Sequence, residues 1–174
     1  MRSTLTPDVL TLDALNSLSQ AQFVAALGGI YEDSPWVAER VQAARPFSSR
    51  DALQAAMREI VDAAGREAHL TLLRAHPELA RRIRMSADSV REQAGAGLDR
   101  LTSDEFDAFS FLNAAYRDRF SFPFIIAVAG KDKNQILASL QERLNHAPET
   151  EFAEALEQVH RIAGVRLAAV VREA

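Results

Sequence analysis

His76 and Glu92 have the side chains of this sequence best suited to moving a proton, and both lie in the stretch Leu73–Leu98, LRAHPELARRIRMSADSVREQAGAGL. An imidazole changes charge near neutral pH and can give or take a proton, while a carboxylate can accept one or place charge. His76 precedes Pro77. Proline lacks an amide hydrogen and biases the residue before it away from helix, so the His-Pro step ends one helix. Pro77 then suits the first turn of a new one, with Glu78 favourable at the positive end of its dipole. A histidine at such a junction can face a cavity, or it can serve only as a cap or packing residue. Further on, Glu92-Gln93 runs into Ala94-Gly95-Ala96-Gly97, small residues that allow backbone or ligand to come close. Ser89, three residues before Glu92, shares its helix face. Against a functional role stand a solvated carboxylate for Glu92 and a local cap for Ser89.

Arg166 is a further candidate. Phe152, Leu156, Val159, Ala163 and Val170 form the apolar stripe of a long C-terminal helix, and Arg166 falls on it. An arginine turned inward needs a carboxylate or a ligand anion, and both partners remain open. Of the other histidines, His69 has no acidic residue at ligand spacing, His146 is expected in a solvated loop and His160 on a helix surface. No His-Glu-x-x-His pattern occurs, so no metal site is expected. The chain has no cysteine, which excludes disulfides and thiolate chemistry. No nucleophile elbow and no phosphate-binding glycine loop are present, which leaves Lys131 as an exposed side chain.

The elements that must hold these residues are helical. Ser19 caps a helix carrying Phe23, Val24 and Leu27 that ends at Gly28-Gly29. Ser34-Pro35-Trp36 reads as a Ser cap followed by Pro at the first helical position, and Arg45-Pro46-Phe47 closes that helix. Ser49 opens a helix with the stripe Leu53, Met57, Ile60 and Val61, ending at Gly65. Residues 67–75 form the helix that meets the His-Pro step. Thr102-Ser103-Asp104-Glu105 fits a capping box ahead of Phe106, Phe109, Leu112 and Tyr116. The run 120–131, apolar, Pro-interrupted and Gly-ended, has no second strand to pair with, so it is expected as a buried extended or irregular segment. Its backbone groups then need partners, and a ligand can be one. Helices over 133–145 and from Pro148 onward complete an all-α reading: one domain over 1–174, roughly eight helices, residues 1–14 irregular.

Composition agrees. With 174 residues, 48% of them hydrophobic and 25% charged, the chain can bury a real core. A net charge of −4 without a basic run argues against a nucleic-acid partner. No apolar run reaches membrane-spanning length, and neither a secretory leader nor a C-terminal Ser-Lys-Leu signal is expected. A cytoplasmic, bacterial protein is expected.

The ordered set His76-Pro77-Glu78-Leu79-Ala80, Ser89-x-x-Glu92-Gln93, Ala96-Gly97-Leu98, Leu112-Asn113, Phe122-Pro123-Phe124-Ile125-Ile126, Gly130-Lys131 and Arg143-Leu144-x-His146 resembles the OHCU decarboxylase family of urate catabolism. Glu32-Asp33-Ser34-Pro35-Trp36 and Arg45-Pro46-Phe47 extend the resemblance, which runs from about Leu15 to Leu167. It implies an all-helical fold and a decarboxylation that yields (S)-allantoin, without cofactor or metal, in a homodimer. It implies His76 as proton donor, with Glu92 and Arg166 placing charge. Pro77, Ser89, Val90, Arg91, Gln93 and the segment Phe124, Ile125, Ile126, Ala127 and Val128 are implied as substrate-binding. The competing readings are a non-catalytic helical module that binds a ureide or a partner, and a lyase or hydrolase acting on a related ureide.

Overall fold

The computed structural model describes residues 8–80 and 87–174. It is all-α, as expected: nine α-helices among the described residues, against roughly eight read from the sequence. Contacts group the chain into two compact units, residues 1–69 with 162–174 and residues 70–161.

In the first unit, β1 (Leu10–Thr11) lies parallel to β2 (Val171–Arg172), with Leu10 opposite Val171. α1 (Leu12–Asn16) follows directly, capped by the Thr11 hydroxyl. This corrects the irregular reading of residues 1–14 over 10–14; residues 1–7 lie outside the described part. α2 (Gln20–Leu27) carries a full capping box from Ser19 and Gln22. α3 (Trp36–Val41) runs into a 3-10 turn (Gln42–Ala44) and packs on α4 (Arg50–Asp62). Ser49 caps α4 through a 3.0 Å bond from the Ala52 amide. Ser34 does not cap α3 with its side chain. Its hydroxyl donates to the Glu32 carbonyl at 2.8 Å, because Pro35 is already helical (φ −61°, ψ −18°) and Ser34 closes the turn before it. Leu15, Phe23, Leu53, Met57 and Val61 are buried here.

α5 (Arg66–Ala75) and α9 (Pro148–Val170) each contain a boundary between the units. The second unit adds α6 (Ala87–Gly95), α7 (Ser103–Phe120) and α8 (Lys133–Arg143), with α7 packed on α8. α7 starts at the predicted capping box of Thr102 and Glu105. It ends where Ser121 takes a left-handed conformation (φ 67°). Residues 122–128 lie outside any helix or strand, and every one of them is buried. Around them Tyr116 meets Phe120, Phe122 and Phe124 with ring centroids 4.6, 5.9 and 5.3 Å away. No helix among the described residues is long and apolar enough to cross a membrane.

Candidate active site

His76 sits at the end of α5 and is 7% exposed. Its amide bonds the Leu73 carbonyl at 3.3 Å, and its ring Nδ1 lies 2.9 Å from the Leu72 carbonyl. A carbonyl oxygen can only accept, so Nδ1 carries a hydrogen and donates it. The atom at which this imidazole gains or loses its proton is therefore Nε2.

The turn after Pro77 is built around one peptide group, Leu79–Ala80. Its carbonyl accepts from Asn113 Nδ2 at 2.9 Å, and its N–H donates to Gln93 Oε1 at 2.9 Å. The two carboxamides come from different helices, α7 and α6. Ala80 has φ 60°, a left-handed conformation that disfavours a residue with a Cβ by about 1–2 kcal/mol. The two bonds on its leading peptide hold it there. Arg117, four residues after Asn113 on α7, pairs with Glu78 at 2.5 Å, so α7 grips this turn twice.

On α6, Ser89 and Gln93, one helical turn apart, are buried (4% and 6% exposed). Glu92 is half-buried. Val90 and Arg91 turn outward: Val90 is 48% exposed and the Arg91 side chain pairs with Asp88. A helix cannot show four consecutive side chains to one side, so neither joins Ser89 and Gln93 on the buried face. The Gln93 oxygen accepts from Ala80.

The 122–128 segment has been given side-chain partners in place of a strand. The Ile125 carbonyl accepts from Arg143 at 2.7 Å, and the Ala127 amide donates to Gln158 Oε1 at 2.9 Å. The Ala127 carbonyl accepts from Lys131 Nζ at 3.1 Å, which corrects the expectation of an exposed lysine. Among the described residues no hydrogen bond reaches the N–H or C=O of Ile126, although Ile126 is buried.

Arg143 belongs to a charge cluster that the sequence did not announce. Glu151, fully buried, accepts from Arg143 Nε at 2.6 Å and from the Tyr116 hydroxyl at 2.6 Å, and His146 Nδ1 lies 3.0 Å from its other oxygen. The Arg143 guanidinium also stands 4.4 Å over the Phe124 ring. Burial, then the bond to Glu151, pushes the Tyr116 hydroxyl above the ordinary tyrosine range. His146 is thus tied to a carboxylate where a solvated loop was expected. His160 is 3% exposed, not on the surface, because α9 is buried on more than one side.

Arg166 is buried as its helical stripe predicts, and in the first unit it meets Glu32 at 2.7 Å, each side chain 5% exposed. This is a charge contact without an aligned hydrogen bond to Glu32 Oε2. Of the two partners open to an inward arginine, the interior carboxylate is present. No cluster of three metal-ligating side chains occurs among the described residues.

Asn113, Glu32 and the Arg143–Glu151 pair were missed as candidates. A signal existed for Asn113, the polar residue in the buried series Phe109, Asn113, Tyr116, Phe120 of α7. For Glu32 and Arg143 the signal was their place in the motifs Glu32-Asp33-Ser34-Pro35-Trp36 and Arg143-Leu144-x-His146, whereas Glu151 had none.

The sequence profile of OHCU decarboxylase matches residues 16–168. The 2-oxo-4-hydroxy-4-carboxy-5-ureidoimidazoline decarboxylase of Haloferax volcanii is 49% identical over 159 residues, spanning 91% of this chain and 95% of that protein. A uric acid degradation bifunctional protein of Bacillus subtilis is 47% identical over 165 residues, 95% of this chain and 33% of that protein. Among solved structures, an (S)-allantoin synthase superposes with a TM-score of 0.75 at 39% identity, over 93% of this chain and 54% of that one. An OHCU decarboxylase crystallised in the presence of (S)-allantoin, 20% identical with a TM-score of 0.67 over 87% of this chain and 96% of that one, shares the fold.

Proposed function

The chain belongs to the OHCU decarboxylase family, and we propose that it converts 2-oxo-4-hydroxy-4-carboxy-5-ureidoimidazoline into (S)-allantoin and carbon dioxide. The substrate carries its own electron sink. When the bond from the hydroxylated carbon to the carboxylate breaks, the electron pair forms a double bond to the ureido-bearing carbon. The neighbouring C=N pair moves onto nitrogen, which takes a proton. The hydroxyl then loses its proton to become the carbonyl, and the ureido-bearing carbon is protonated on one face. No pyridoxal or thiamine is needed to hold that pair. The protein's task is orientation, charge placement and delivery of one proton to one side.

The observation that carries the reading is the His76 ring. With Nδ1–H committed to the Leu72 carbonyl, Nε2 is the proton-transferring atom in a buried setting, and we assign it the delivery to carbon. Glu92 and Arg166 place charge: Arg166 toward a substrate anion or carbonyl, Glu92 by repelling the carboxylate or by accepting a substrate N–H. Ser89 and Gln93 bind polar groups of the ureide. The Ile126 peptide, buried without a hydrogen-bond partner among the described residues, offers a donor and an acceptor to it. We further take the enzyme to be cytoplasmic, cofactor-independent and homodimeric.

The test is a circular-dichroism time course in which urate oxidase and hydroxyisourate hydrolase generate the substrate in situ, with a chelator present. Rapid appearance of the (S)-allantoin signal only with this protein is expected. A signal no faster than the spontaneous background, from a folded sample, would favour the ureide-binding or related-lyase readings. His76→Ala is expected to lose most turnover while staying folded; an active variant would remove His76 from proton delivery.

A further inference from the structure

We propose that Asn113 is a positioning residue for His76, acting through the Leu79–Ala80 peptide; this rests on the assignment of proton delivery to His76. A single peptide plane is held at both ends by side-chain amides, its C=O by Asn113 Nδ2 and its N–H by Gln93 Oε1. Nothing local would keep it there, since Ala80 sits in a left-handed conformation without being glycine. The orientation of the Asn113 amide is not arbitrary either. Leu79 presents an acceptor, so nitrogen must face it, and Oδ1 must face the other way. That oxygen is buried, and no hydrogen bond reaches it. A residue kept only to fill space on the buried face of α7 would be better apolar, like its neighbours Phe109 and Tyr116. What the asparagine adds is the hold on Leu79.

The consequence reaches His76 along the chain. The ring is fixed on one side by the Leu72 carbonyl. On the other side the backbone leaves through Pro77, whose fixed φ transmits the direction of the turn back to the His76 Cα. Gln93 is itself assigned to substrate binding, so its clamp links the imidazole turn to α6. Asn113 performs the same task from α7, and is therefore the cleaner place to test the turn.

Two variants test this. Asn113→Ala removes the hold and is expected to lower kcat by about 100-fold, the effect of a small misplacement of a reacting group, with KM changed far less. Asn113→Asp replaces the donating nitrogen with an oxygen that donates only when protonated. Burial without a partner for the other oxygen favours the protonated form. The ratio of variant to parent kcat should therefore be near one at low pH and fall by about tenfold per pH unit once the carboxyl ionises, while circular dichroism shows a folded protein throughout. The protonated carboxyl is nearly the shape of the amide, so this variant keeps the fold at low pH even where the alanine variant does not. A flat ratio across pH, or an alanine variant with at least half the parental kcat, would overturn the proposal. If His76→Ala is inactive while both Asn113 variants turn over normally, the positioning role alone fails. If His76→Ala is active, the catalytic reading beneath it fails.

Discussion

Glu151 and Glu32 are both buried and both face an arginine, yet their surroundings differ. Both Glu151 oxygens are engaged, one by Arg143 and the Tyr116 hydroxyl, the other by His146. Arg143 continues to the Ile125 carbonyl and covers the Phe124 ring. Charge here is neutralised and wired into the backbone of 122–128, where it works as a brace. Glu32 Oε2 stands 2.7 Å from Arg166 and has no hydrogen bond. The two charges offset each other without an aligned hydrogen bond at that oxygen. A buried pair gains net stability only when its remaining lone pairs and protons are satisfied. Arg143 Nη2 likewise lacks an aligned hydrogen bond, so the difference lies at the carboxylates: Glu151 is held by three side chains, whereas Glu32 Oε2 meets Arg166 as a charge contact.

The contrast can be broken most severely at Glu151. Glu151→Ala strands the Arg143 charge inside the protein and is expected to reduce unfolding free energy by about 3–5 kcal/mol, read by urea denaturation. A loss below about 1 kcal/mol would mean the cluster braces nothing. Arg166→Lys should behave differently. It keeps a positive charge beside Glu32 but loses the planar fork, so the melting temperature should move little while affinity for (S)-allantoin falls about tenfold or more, about 1.4 kcal/mol, by calorimetry. Unchanged affinity would return Arg166 to a purely internal pairing. Tyr116→Phe removes one of the bonds to Glu151 and is expected to lower stability by about 1–2 kcal/mol, less than the loss at Glu151 itself.

The smallest effect is spectroscopic. Both tyrosines of the chain, Tyr31 and Tyr116, are held above the ordinary range, first by burial. An acid whose folded value is raised favours folding fully below its unfolded value, about 10, and that contribution is lost as pH rises through the folded value. Absorbance at the tyrosinate wavelength should therefore show no step near pH 10 while the protein is folded, and rise together with alkaline unfolding. A step of one tyrosine near pH 10 in folded protein would show that one hydroxyl is not sealed in.

Local chemistry was legible where it acts at short range. The caps at Ser19, Ser49 and Thr102 involve residues three apart and appear as read. The 120–131 run was legible as a buried segment outside the helices because it is apolar, broken by proline and lacks a partner strand. Arg166 was turned inward by the period of its own helix. Ser34 misled because a Ser before Pro has the form of a cap while its hydroxyl found the Glu32 carbonyl instead. His160 misled because a helix buried on more than one side has no single outer face.

By itself the sequence determined the all-α class, the placement of most helices, the inward direction of Arg166 and the family to which the chain belongs. These follow from period, capping and ordered motifs, all of which are properties of neighbouring residues or of their order. The tertiary structure alone decided the partners: Glu32 for Arg166, Glu151 for Arg143 and His146, and Asn113 with Gln93 on the Leu79–Ala80 peptide. The choice among many possible carboxylates and amides depends on which helices pack together. A buried charge or peptide group accepts whichever complementary group the packed chain brings within about 3 Å.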